Sequence, residues 1–179
     1  MSEWKKVNIG NLGRIVTGKT PKTEIDSYYG GDMPFLTPSD DWTFKYVNNT
    51  KKYITEEGKN SVKGSLLPPN AVCVSCIGII GKVLITTQET VTNQQINSII
   101  VDEERYDVDF IYYAMVQYSK ILESCNQSST VVPIINKSTF SEFEILCPAL
   151  SEQKKISKIL SIIDQKINLN NQINDNLVY

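Results

Sequence analysis

The chain has no histidine. Imidazole is the usual acid–base group near neutral pH and the commonest metal ligand. Its absence excludes Ser-His-Asp and Cys-His catalysis and every His-ligated metal site. Arginine is scarce too: of 18 basic residues, only Arg14 and Arg105 are not lysine. No Gly-x-Gly-x-x-Gly occurs, so a Rossmann loop for a dinucleotide or adenosylmethionine has no support. Long apolar runs are missing; stretches such as residues 77–80 are far too short to span a bilayer. The opening residues, Met1 to Lys6, lack the apolar segment of an export signal. There is no excess of positive charge either. A net charge of -2 excludes a uniformly basic nucleic-acid coat protein, but not a local basic face. Residues 151–179 contain neither glycine nor proline, whereas residues 1–150 carry all nine glycines and all seven prolines. That break divides the chain into a turn-rich first part and one uninterrupted helical pattern.

What is present fits one packed domain with an appendage: 179 residues, 41% of them hydrophobic. Four cysteines without an export signal suit a reduced, cytoplasmic protein with no membrane contact. Residues 7–16 form a short apolar segment closed by the loop Thr17-Gly18-Lys19-Thr20-Pro21. Gly30, Gly31 and Pro34 signal a second turn, and residues 37–41 a loop rich in Pro and Asp. Residues 71–77 read as a β-branched strand, paired across a glycine turn with residues 82–87; residues 96–101 read as another strand. From Val108 the period becomes 3.6, with Val108, Ile111, Tyr112, Met115 and Leu122 on one helix face and Asp107 as N-cap. Residues 143–147 make a last strand. Strands clustered rather than alternating with helices predict an α+β fold: a mixed globular domain over 1–150, then one long C-terminal α-helix over 151–179.

In that helix, with Ser151 as expected N-cap, Ile156, Leu160, Ile163 and Ile167 are spaced four, three and four, the seam of a coiled coil. Asn170, Asn174 and Leu177 continue it, the asparagines setting register at a cost in stability. Ile159, Ile162, Leu169 and Ile173 widen the stripe. The spacing predicts a protruding helix of roughly 43 Å that pairs with another helix.

Candidate chemistry is thin. Cys73-Val-Ser-Cys76 has zinc-knuckle spacing, but Cys125 and Cys147 are isolated and no histidine completes a site. Residues three apart in a strand also face opposite ways, so buried structural cysteines are expected. Gly78-Ile-Ile-Gly81-Lys82 ends like a P-loop, yet Cys76 and Val83 stand where Gly and Ser/Thr are required. No metal and no cofactor is expected. Charge is uneven: residues 1–23 and 45–63 hold five basic residues each, interleaved with or close to Tyr28, Tyr29, Trp42, Phe44 and Tyr46, while residues 102–109 hold five carboxylates. Such lysine-bearing stretches can supply phosphate contacts.

An ordered set of short blocks runs through nearly the whole chain. It begins with Trp4, Leu12-Gly13 and Gly18-Lys19-Thr20-Pro21, then Tyr28-Tyr29-Gly30-Gly31 and residues 34–40. It continues through residues 54–58, Leu67-Pro68-Pro69, residues 79–82 and Thr92-Asn93-Gln94-Gln95 to Ser129-Thr130, Ile134, Pro148, Gln153, Ile156 and Leu160. In this order the chain resembles the specificity subunit of type I restriction–modification systems. The resemblance implies a target recognition domain over 1–150 and the family's helical spacer over 151–179. Family members usually carry two such units in tandem, each reading part of a split DNA target, with antiparallel helices setting the gap. They are not enzymes themselves; modification subunits methylate adenine, and restriction subunits translocate and cleave.

This chain holds one unit, so the expectation is a half-subunit that pairs as a homodimer through its helix. Its partners would be double-stranded DNA, the methyltransferase (modification) subunits and the restriction subunit. Phosphate contacts are expected from Lys19, Lys22, Lys45 and Lys52, and base or groove contacts from Thr20, Ser39, Asp40, Trp42, Ser128, Ser129 and Thr130. Gln94 and Gln95 are expected to stabilise a turn. The competing expectation is a protein-interaction adaptor with a coiled-coil helix and no DNA contact, which the acidic composition favours.

Overall fold

The computed structural model describes residues 3–47, 49–126 and 134–177. In chain order the strands are β1 (Lys5–Asn8), β2 (Gly13–Thr17), β3 (Tyr29–Leu36) and β4 (Lys52–Ile54). Helix α1 (Glu56–Ser61) precedes β5 (Leu66–Leu67), β6 (Ala71–Ser75), β7 (Val83–Ile85), β8 (Thr90–Thr92) and β9 (Ile96–Val101). Helices α2 (Val108–Asn126) and α3 (Lys137–Glu142), strand β10 (Glu144–Cys147) and helix α4 (Leu150–Leu177) complete it. The fold is α+β as expected, and the long terminal helix is present.

A central antiparallel sheet has the order β2-β9-β6-β7. Both its faces are covered, which is why all five residues of β6 are buried. Alternation sends Val72 and Val74 to one face, where Ile15, Ile85, Ile99 and Val101 meet Phe110, Ile111 and Met115 of α2. It sends Ala71 and Cys73 to the other, with Val16, Leu84 and Ile96, against Leu36 and Leu67 of a second sheet. That second sheet has the order β4-β3-β8-β5 and backs onto α1 through Phe35, Ile54, Val62 and Val91. A two-stranded ribbon, β1-β10, brings the two ends of the domain together beside the start of α4.

Cys73 and Cys76 lie in separate cores on opposite sides of the sheet. Burial pushes their thiols up to about 12 and about 11, so they are inert packing residues. The 82–87 segment does pair with 71–77 across glycines at positive φ, Gly78 and Gly81. Asp107 does cap α2, its carboxylate accepting from the Phe110 amide at 2.9 Å.

The apolar segment over residues 7–16 is two strands in different sheets, broken by a 3-10 turn over Ile9–Asn11. Two expectations need correction. Gly30, Gly31 and Pro34 lie within β3, not in a turn. Gly30 sits at φ 84, where the register of β3 against β4 shifts, so the glycine permits a bulge rather than ending the strand. Ser151 falls inside the first turn of α4; the amides of Glu152 and Gln153 instead find the carbonyl of Ala149.

Candidate nucleic-acid interface

Strand direction gathers one set of loops at one end of the sheets. Strand β2 ends at Thr17, opposite Asn97 near the start of β9. Ile96 starts β9 opposite Ser75, the end of β6, and Val83 starts β7 opposite Val74. In the second sheet, β3 ends at Leu36 opposite Thr92, the end of β8, and Phe35 faces Lys52, the start of β4. The two sheets are joined at this end by the Lys19 amide donating to the Thr92 carbonyl at 2.8 Å, while the Asn93 amide extends the β3–β8 ladder by donating to the Leu36 carbonyl at 3.1 Å. Gly18 is packed so close to Thr92 and Asn93 that any side chain would strike them, which seats the loop that carries Lys19 to Lys22.

Lys19, Lys22 and Lys52 are therefore brought together at one end, all exposed, with exposed Lys51 beside them. A depression of about 560 Å³ lies here, lined by Thr23, Tyr29, Gly30, Lys51, Lys52 and Tyr53 among others. Tyr29 donates its hydroxyl to the Pro21 carbonyl and ties the depression to the lysine loop. Lys82 adds a further cation, donating to the Pro38 carbonyl at 3.2 Å. Hydrogen bonds from Thr43 lower the Asp41 pKa, with Lys82 contributing a smaller pull. Sequence reasoning missed Lys51 and Lys82; Lys51 stands next to Lys52 in the same basic stretch, whereas Lys82 is placed only by the β6–β7 turn.

Thr20 is half-buried and donates to the Gln94 side-chain oxygen at 2.7 Å. Gln95 does make the turn, exchanging bonds with Asn93 and reaching the Ile77 carbonyl, while Gln94 is exposed. Ser39 is exposed at the tip of its loop. Trp42 is half-buried against the core between the two sheets, and its indole N–H is held by the Thr37 carbonyl at 3.0 Å.

Two expected contacts take other roles. Asp40 is only 5% exposed. Its carboxylate accepts from the amides of Thr37 and Lys51, both at 2.6 Å, and from the Thr37 hydroxyl. It braces the loop from inside and has no face left for a base. Lys45 lies at the opposite end. Residues 42–47 run along β7, and Lys45 and Val47 bond to the two sides of Ile85, the last residue of that strand. The Lys45 side chain is 8% exposed and ion-paired with Asp109 at 2.9 Å. It also donates to Tyr113 at 3.2 Å and to Ser161 of α4 at 3.1 Å, so its ammonium cannot reach phosphate. Ser128, Ser129 and Thr130 lie outside the described residues.

Around Lys45, burial pushes the phenols of Tyr46 and Tyr112 up to about 12, with carboxylates adding to the shift. Burial and the bond to Asp164 raise Tyr113 further. The acidic stretch follows β9 at this same end, about 17 Å along the strand from Ile96. The two ends thus differ: exposed Lys19, Lys22, Lys51 and Lys52 gather at one, with Asp26 lining the same depression, and the 102–109 carboxylates lie at the other, where Lys154 stands among them.

In α4, Gln153 and Ser157 are the residues buried against the domain, at 1% and 4% exposure. Gln153 accepts from the Asp107 amide at 3.0 Å and donates to the Pro148 carbonyl at 2.8 Å, joining the start of α2 to the start of α4. Of the expected seam, Ile156 is half-buried against the domain core, and both it and Leu160 line a groove with Trp4, Phe110 and Leu146. Ile163, Ile167, Asn170, Asn174 and Leu177 are exposed. So are Ile159, Ile162, Leu169 and Ile173. Among the described residues no helix is long and apolar enough to cross a membrane.

The family model for the type I restriction modification DNA specificity domain matches residues 1–178. The HindI specificity subunit of Haemophilus influenzae is 35% identical over 148 residues, 82% of this chain and 32% of that protein. The MjaIX specificity subunit of Methanocaldococcus jannaschii is 30% identical over 169 residues, 92% of this chain and 39% of that one. Among solved structures, the HsdS subunit of Thermoanaerobacter tengcongensis aligns with a TM-score of 0.68 at 19% identity, covering 93% of this chain and 38% of that chain. A type I restriction–modification S subunit from M. genitalium aligns at 0.69 and 20% identity, covering 98% and 43%. The chain spans less than half the length of each of these relatives, and the structural likeness concerns the fold.

Proposed function

The chain belongs to the family of type I restriction–modification DNA specificity domains, and we propose that it reads one part of a bipartite DNA target. The observation that carries this is the gathering of Lys19, Lys22, Lys51 and Lys52 at one end of the sheets, on a protein whose net charge is negative. Lysines at that end neutralise phosphates and set the register of the domain on the duplex. Ser39 and Thr20, on loops from the same end, make groove contacts in this reading, which the exposure of Ser39 supports, and Trp42 braces the loop that carries Ser39. Residues 128–130 complete this set as a proposal from the sequence. The unit carries no catalysis and uses no cofactor; methyltransferase and restriction subunits dock to it and act on the DNA it selects.

The apolar stripe from Ile159 to Leu177 pairs with a second copy of the helix, so that two chains rebuild a two-unit reader of an inverted repeat. The test of DNA reading is duplex binding over a range of salt, by the chain with its methyltransferase subunits. Binding that falls steeply with salt, and less steeply after Lys19→Ala and Lys22→Ala, supports the reading. Salt-independent retention would point instead to a protein adaptor. The test of pairing is sedimentation equilibrium: a chain that stays monomeric with its helix intact refutes the homodimer.

A further inference from the structure

We propose that Lys45 is a positioning residue that sets the tilt of α4 on the domain, and through it the separation of the two reading ends in an assembled pair. The inference rests on the reading of α4 as the spacer between two such ends. Lys45 is the point where three parts of the molecule meet. Its backbone belongs to the segment that leaves the reading loop at residues 37–42 and runs down β7. Its ammonium is held by Asp109 and Tyr113 of α2 and by Ser161 of α4. The Tyr113 hydroxyl in turn donates to Asp164 of α4 at 2.5 Å. The rings of Tyr46, Tyr112 and Tyr113 lie 5.4, 5.2 and 4.4 Å from the ammonium.

Among the described residues this knot is the outermost polar tether between α4 and the domain. Gln153 pins the helix at its start, and Ser161 and Asp164 pin it about two to three turns further on. Between the two pins Ile156, Ser157 and Leu160 pack on the domain, and the outer pin fixes the direction in which the rod leaves that contact. Beyond Asp164 every described side chain of α4 is exposed, so none of them is buried on the domain to aim the distal half. A small change of angle at the knot is multiplied along the rest of the rod.

The test uses the chain with its methyltransferase subunits and a duplex library in which the two half-sites are separated by variable gaps. Lys45→Met removes the shared cation; Ser161→Ala combined with Tyr113→Phe removes the bonds to α4 while leaving the Lys45–Asp109 pair. The second variant carries the test if the first fails to fold. Binding to a single half-site stays at the wild-type level, because the lysine-bearing loops are at the other end. Discrimination between the preferred gap and one a base pair longer falls by roughly twofold or more, the low end of couplings between contacting groups. A folded variant with undiminished gap discrimination overturns the role of Lys45 and leaves the DNA-reading function standing. A wild-type complex that binds half-sites with no gap preference overturns the spacer reading itself, and this inference with it.

Discussion

The two halves of α4 both carry isoleucine and leucine but have opposite fates. The first half, residues 150–164, buries Gln153 and Ser157 and engages Ser161 and Asp164, while Ile159, Ile162 and Ile163 beside them are half or more exposed. The second half, residues 165–177, buries nothing among its described side chains, although Ile167, Leu169, Ile173 and Leu177 belong to it. Apolar character alone therefore does not mark the docking face: Ile156 and Leu160 turn to the domain with Gln153 and Ser157, while Ile159, Ile162 and Ile163 do not. Small and polar residues allow close approach, and each polar atom named here has a partner across the interface or within the turn. The isoleucine stripe is left for a surface that the domain does not provide.

The largest effect that would break this contrast is expected at Lys45. Lys45→Met leaves Asp109 without its cation, and removing one partner of a buried pair costs roughly 3–5 kcal/mol. The lower end is expected because the Asp109 side chain keeps 35% of its surface in water. Urea unfolding of the isolated chain measures it; a midpoint unchanged from wild type would mean that the docked half of α4 does not depend on this pair. Next comes Gln153→Ala, which orphans the Asp107 amide and the Pro148 carbonyl for about 1–3 kcal/mol. Its signature is early loss of amide protection at the start of α2 and α4, seen by hydrogen exchange.

A third test contrasts lysines at the two ends. Lys19→Ala with Lys22→Ala should leave stability within about 0.5 kcal/mol. The same pair should flatten the log–log salt dependence of DNA binding by about 0.9 for each phosphate that is no longer neutralised. Equal slopes for variant and wild type would place the phosphate-binding lysines elsewhere. The smallest effect on unfolding is expected in the distal half. Ile167→Ser and Ile173→Ser should change the stability of the monomer by less than about 0.5 kcal/mol, while abolishing self-association in sedimentation. A destabilised monomer would show that these isoleucines already pack on the domain.

Much of the fold was legible from periodicity. The strand at 96–101, the pairing of 71–77 with 82–87, the Asp107 cap and the long last helix all follow from local patterns, because local patterns report which faces are buried. Gly30, Gly31 and Pro34 misled because the residues that make turns also make bulges, and only the register of β3 on β4 separates the two. Of the candidate site, the sequence showed the charge but not its placement. Lys19, Lys22 and Lys52 were found as basic stretches, and the topology gathers them. Lys45 belonged to the same stretch as Lys52 yet lies at the other end, since the chain between Trp42 and Val47 travels the length of β7 before returning. Asp40 looked like a loop acceptor for a base, but its carboxylate turns inward to saturate amides of its own loop.

Composition and order of residues alone showed that imidazole chemistry is lacking, that glycine and proline stop before the last helix, and which family the blocks resemble. Those are properties of residue type and spacing along one chain. Which lysine is free and which is locked, and which side of the rod meets the domain, were decided only in three dimensions. The reason is that charge and exposure belong to neighbours brought together by strand order, such as Lys45 and Ser161 across 116 positions of sequence.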